Sequence, residues 1–160
     1  MAEKRDIVIV GGGYIAAEYG HFFSAMGSKV TVIGRNRQFI PEEERILHYA
    51  ACDVAVFPSF YEPFGIVALE AMAMEKPVVV GARGVSGLRE IVVASGPDMT
   101  GYHINPYDPQ VIAWGVNSVL GDEGHMKEMG KNGRKRAISE FTWEKTARNV
   151  FSIYEKAACR

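Results

Sequence analysis

Two short runs carry residue types whose spacing suits chemistry. In the first, "GGGYIAAE" at 11–18, Gly11, Gly13 and Ala16 fall in a G-x-G-x-x-A spacing directly after the β-branched run "DIVIV". Glycines so placed permit a tight turn and bring a pyrophosphate against backbone N–H groups at a helix's positive end. The small third residue lets that helix pack on its strand. A second strand in such a unit commonly ends on an acid that holds ribose hydroxyls. This chain instead reads "GRNR", and the guanidiniums of Arg35 and Arg37 suit a 2′-phosphate. The cofactor this run would take is NADP, although nothing in the sequence requires one.

The second run is "YEPFGIVALEAM" at 61–72. Glu62 precedes an expected helix and Glu70 lies more than a turn inside it, so the two carboxylates serve as separate ligand contacts rather than as a general acid and base pair. The backbone N–H groups of Phe64, Gly65 and Ile66 open that helix and form an anion site that fits a diphosphate. Glu70 would then accept hydrogen bonds from ribose hydroxyls and Glu62 from sugar hydroxyls.

Both runs need a scaffold that ends a strand where a helix begins. Short apolar, β-branched stretches at 6–10, 29–33, 53–58, 76–80 and 101–104 predict strands. Between the first two, Ile15, Tyr19, Phe22, Phe23 and Met26 recur at helical spacing, with Gly27 placed to end the helix. Further helices are expected at 42–51, 64–74, 109–120, 122–140 and 142–158. The last carries Trp143, Ala147, Val150, Phe151 and Tyr154 on one face, expected to pack largely as core. Repeated βα units call for a mainly parallel sheet covered on both faces. The fold class is therefore α/β: one Rossmann-like, three-layer αβα domain over 1–160, with the first strand near the middle of the sheet.

Composition narrows the function classes. A chain of 160 residues with 48% hydrophobic and 23% charged residues is ordinary for a globular domain, and its net charge of −1 offers no general attraction to nucleic acid or an anionic membrane. The basic cluster "KNGRKR" at 131–136 has no interleaved aromatics and reads as a solvated helix face. Cys52 and Cys159, like His21, His48, His103 and His125, lack ligand spacing, so no metal site is assigned. No span or secretory signal is evident, and a cytoplasmic protein, monomeric or weakly self-associating, is expected.

Residues 6–36, "DIVIVGGGYIAAEYGHFFSAMGSKVTVIGRN", resemble the nicotinamide-nucleotide-binding segment of the flavin-dependent disulfide reductases, the dihydrolipoamide dehydrogenase and glutathione reductase group. That resemblance implies Gly11, Gly13, Ala16 and Glu18 along the cofactor's pyrophosphate and ribose, and Arg35 and Arg37 at its adenosine phosphate. From about Ile46 onward, "YAACDVAVFPSFYEPFGIVALEAMAMEKPVVV", "GLREIV" and "FTWEKTARNVFSIYEKA" resemble the C-terminal donor domain of retaining glycosyltransferases of GT-B fold, the glycogen-synthase and sucrose-synthase kind. Here the resemblance implies a nucleotide-sugar site, vestigial in this setting, at Glu62, Phe64, Gly65, Ile66 and Glu70. The two resemblances meet within residues 34–54, and together they predict an engineered fold chimera, 1–44 joined to 45–160, with no catalytic activity. The alternative is a nucleotide-binding module for NADP, a nucleoside diphosphate or a nucleotide-sugar; a residual glycosyltransferase is the third reading.

Overall fold

The computed structural model describes residues 6–10, 24, 28–33 and 42–158. Gly11, Gly13, Ala16, Glu18, Arg35 and Arg37 lie outside the described residues, as does the apolar helical run through Ile15 and Met26. The described elements run β1 (Asp6–Val10), β2 (Lys29–Ile33), α1 (Glu42–Ala51), β3 (Val54–Phe57), α2 (Ile66–Ala73) and β4 (Val78–Gly81), then α3 (Leu88–Ile91), β5 (Gly101–Ile104), α4 (Pro109–Leu120), α5 (Glu123–Glu140) and α6 (Trp143–Ala158). The four-residue α3 is an addition to the elements the sequence predicts.

The five strands form one parallel sheet in the order β2-β1-β3-β4-β5. Every residue of β3 and β4 is buried, as expected of strands covered on both faces. Register decides which side chains share a face. Ile7 lies opposite Val54 and Ile9 opposite Val56, while Val8 pairs with Ala55. Accordingly Ile7, Ile9, Val54, Val56 and Val79 pack on one side with Ile112, Val116 and Val119 of α4 and Met126 and Met129 of α5. Val8, Ala55, Phe57, Val78 and Val80 pack on the other with Tyr49 of α1, Ala68, Ala71 and Met72 of α2, and Leu88 and Ile91 of α3. The α/β three-layer arrangement is thus as the sequence predicts, and β1 lies inside the sheet.

Two side-chain expectations need correction. No residue of α6 is buried, and Trp143, at 87% exposed, stands furthest from the core role its spacing suggested. Helical periodicity reports an apolar face but not whether another element covers it. The arginines of the basic cluster are not simply solvated: Arg134 donates to the Ala73 carbonyl, and Arg136 donates to Ile91 O at 2.7 Å and Glu90 O at 2.6 Å, tying α5 to the ends of α2 and α3. Glu75, where α2 gives way to β4, has φ 60°, a left-handed conformation that L side chains adopt at a cost. Its contact with Arg134, 3.7 Å between partly exposed groups, contributes little. Glu75→Gly is therefore expected to raise the unfolding free energy by up to about 1 kcal/mol, read from a urea titration. A loss of stability would mean that the ion pair outweighs the backbone strain.

Candidate functional site

The site is built from the loops that leave the C-terminal ends of β3 and β4. Beyond β3 the chain passes Glu62, which forms a parallel bridge with Ser86 of the loop after β4, and the Gly87 N–H donates to Glu62 O at 2.8 Å. Ser86, itself buried, donates from Oγ to Gly81 O at 3.1 Å, pinning that second loop to the end of its own strand. The two loops are thereby held as one surface at the edge where open parallel α/β sheets place ligands.

Gly65 sets the entry to α2. Its φ is 102°, and a Cβ added there would fall into the Leu88 side chain, so both conformation and space call for glycine. The Gly65 carbonyl accepts the Ala68 N–H at 3.0 Å, starting the helix. No side chain caps this end of α2, so the backbone donors of the first turn are left to whatever approaches the sheet edge. Phe64 is half exposed and meets Phe141 edge-on, with ring centroids 6.2 Å apart, and the Ile66 side chain is exposed. Glu62, Phe64, Gly65 and Ile66 are thus brought together, with Glu70 one turn further along the same helix.

Glu70 has a neighbour that the sequence did not disclose. Arg45 Nη2 on α1 lies 3.0 Å from Glu70 Oε1, and both side chains are about a third exposed. Beneath them Tyr49 is buried, and burial, reinforced by the nearby Glu70 charge, pushes its hydroxyl pKa well up. Only the crossing of α1 over α2 pairs Arg45 with Glu70, since the two are 25 residues apart in the chain. Cys52 sits in the same layer; burial pushes its thiol up to about 12, so it is protonated and unreactive near neutral pH. Among the described residues no group of three or more His, Cys, Asp or Glu side chains is placed to hold a metal ion. No helix among them is long and apolar enough to cross a membrane.

Residues 3–136 match the model of the family described as glycosyl transferases group 1. The chain belongs to that family. It is 42% identical over 109 residues to an uncharacterized glycosyltransferase of Methanocaldococcus jannaschii, covering 68% of this chain and 27% of that protein. A D-inositol 3-phosphate glycosyltransferase of Xylanimonas cellulosilytica is 31% identical across the whole chain, which corresponds to 37% of that protein. Among solved structures, sucrose-phosphate synthase from Thermosynechococcus elongatus superposes with a TM-score of 0.73 at 26% identity, over 99% of this chain and 47% of that one. The C-terminal domain of a glycosyl transferase group 1 family protein from Francisella tularensis has the same fold, with a TM-score of 0.68 at 24% identity and 87% of each chain covered. This chain therefore spans about a quarter to over a third of the length of these curated relatives.

These matches overturn the expected chimera. A joint within 34–54 would break the family match there, yet the match runs through it from residue 3, and the X. cellulosilytica relative aligns over both sides. Nothing supports a disulfide-reductase segment at 1–44. A glycine-rich turn between a strand and a helix is common to many phosphate-binding βαβ units, so it marks an architecture rather than one family. The expectation of no catalysis falls with the chimera, because the family is one of glycosyltransferases.

Proposed function

We propose that this chain is the donor-binding part of a glycosyltransferase that moves a sugar from a nucleoside diphosphate to an acceptor, the acceptor side being supplied by the rest of a longer protein. The observation that carries this reading is the uncapped first turn of α2, opening on Gly65 at the C-terminal edge of the sheet between Glu62 and Glu70. The N–H groups of that turn would hold the diphosphate. Because negative charge grows on the diphosphate as the glycosidic bond to the leaving group breaks, fixed donors there stabilise the transition state more than the ground state. Glu62 would accept hydrogen bonds from the transferred sugar and Glu70 from the ribose, with Arg45 orienting the Glu70 carboxylate. The family membership and the shared fold with sucrose-phosphate synthase support the reaction class.

Titration of the amide NMR spectrum with ADP-glucose, UDP-glucose and GDP-mannose tests it. At least one is expected to shift the Ile66, Val67 and Glu70 resonances saturably. Glu70→Ala is expected to weaken that ligand about 10-fold, the usual loss when a charged hydrogen-bond acceptor is removed. Saturable binding of none of the three, by a chain whose spectrum is dispersed, would refute the reading.

A further inference from the structure

One strand further along the sheet, at the ends of β4 and β5, lies an open cavity of about 380 Å³ lined by Ala82, Arg83, Arg89, His103, Ile104 and Asn105. Both charged groups in its lining are guanidiniums. Asn105 Oδ1 accepts the Tyr107 N–H at 3.2 Å, and its amide nitrogen has two N–H donors to offer. His103 Nε2 donates to Val92 O at 2.9 Å, and burial lowers the pKa of the ring, so its Nδ1 stands as an acceptor and His103 adds no further donor. Arg89 spends one N–H on Gly84 O at 3.1 Å, which fixes its guanidinium across the loop and leaves its other donors. Among the described residues neither Arg83 nor Arg89 takes part in an ion pair, and no carboxylate lines the cavity.

Two guanidiniums and the Asn105 amide nitrogen, with no carboxylate among them, suit an oxyanion, and two cations match a phosphate, which carries about −1.5 to −2 near neutral pH, better than a singly charged carboxylate. We infer that this cavity binds a phosphate group, either free phosphate or the ester of a phosphorylated small molecule, as a site separate from the one at the start of α2. The loop 82–88, tied through Ser86 and Gly87 to the Glu62 segment, stands between the two.

The test is a titration of the full chain at constant ionic strength with inorganic phosphate, glucose 6-phosphate and glucose, following the amide resonances of Arg83, Arg89, His103 and Asn105. At least one phosphate is expected to move them saturably, and glucose is not. Equal affinity for the two phosphates identifies free phosphate as the ligand; tighter binding of the ester identifies a phosphorylated small molecule. Arg89→Gln is expected to weaken binding about 10-fold. Arg83→Gln, which disturbs no internal hydrogen bond, should do so too while leaving the spectrum dispersed. The inference is overturned by no saturable shift with either phosphate, by affinity unchanged in both variants, or by ADP-glucose displacing the phosphate from these resonances. Nucleotide-sugar binding at Ile66 and Val67 is read in the same spectra, so failure of one site is distinguishable from failure of the other.

Discussion

Gly65→Ala is expected to lower the unfolding free energy by about 2–4 kcal/mol, the sum of two penalties of about 1–3 kcal/mol each for backbone strain and overpacking, less some relaxation. The strain comes from placing a Cβ at φ 102°, and the overpacking from driving that Cβ into Leu88, which is fully buried and has nowhere to turn. A double-mutant cycle separates the two. Leu88→Ala alone should cost about 2–5 kcal/mol for the cavity it leaves. Once Leu88 is truncated, adding Gly65→Ala should cost only the strain, so the double variant is expected to be more stable than the two single losses predict, by about 1 kcal/mol or more. Urea titrations of the four proteins provide the measurement. Strict additivity would show that the glycine is required by its backbone alone, and that close approach of the loop after β4 plays no part in shaping the start of α2.

The second large effect lies away from the site, where α5 crosses the end of α2. A Cβ on Gly130 would strike the Glu75 carbonyl, a backbone atom that no change of rotamer can move aside, and one turn on a Cβ at Gly133 would lie 3.3 Å from Met72 Cγ. Gly130→Val must therefore push the two helices apart and loosen the layer formed by Met72, Ala71 and Ala137. The expected cost is about 3 kcal/mol, lowering the melting temperature by about 6–12 °C for a domain of this size. Lys131→Val, on the exposed side of the same helix, serves as the control and should change stability by about 0.5 kcal/mol. Similar small losses at both positions, measured by thermal unfolding, would mean that α5 does not press on α2 as closely as the glycine implies.

The strands were legible because each is a short β-branched run, and a parallel sheet buries both faces of such runs. Helices α4 and α5 also lie where the sequence placed helices, and the Asp108 and Asp122 carboxylates accept N–H groups of their first turns, from Gln110 at 2.9 Å and from His125 at 3.0 Å. The candidate site was partly legible. Glu62, Gly65 and Glu70 announce themselves by type and spacing, but the bridge from Glu62 to Ser86 and the pairing of Glu70 with Arg45 depend on which loops and helices meet in space. The family of the first forty residues was misjudged because the physics of a phosphate-ready turn is shared across families. Exposure along α6 was misjudged because an apolar face at helical spacing looks the same whether or not anything covers it.

The sheet order also sets a schedule for folding. Ile7 must find Val54, 47 positions further along the chain, and no two neighbouring described strands are close enough in sequence to pair through a tight turn. Such non-local, parallel topologies fold slowly, because loop entropy is lost before contacts repay it. During synthesis β1 and β2 emerge well before β3, so the inner edge of β1 waits with its backbone donors and acceptors unpaired. That interval is when the chain is most exposed to pairing with a neighbour of its own kind, and it ends when β3 takes its place at the centre of the sheet.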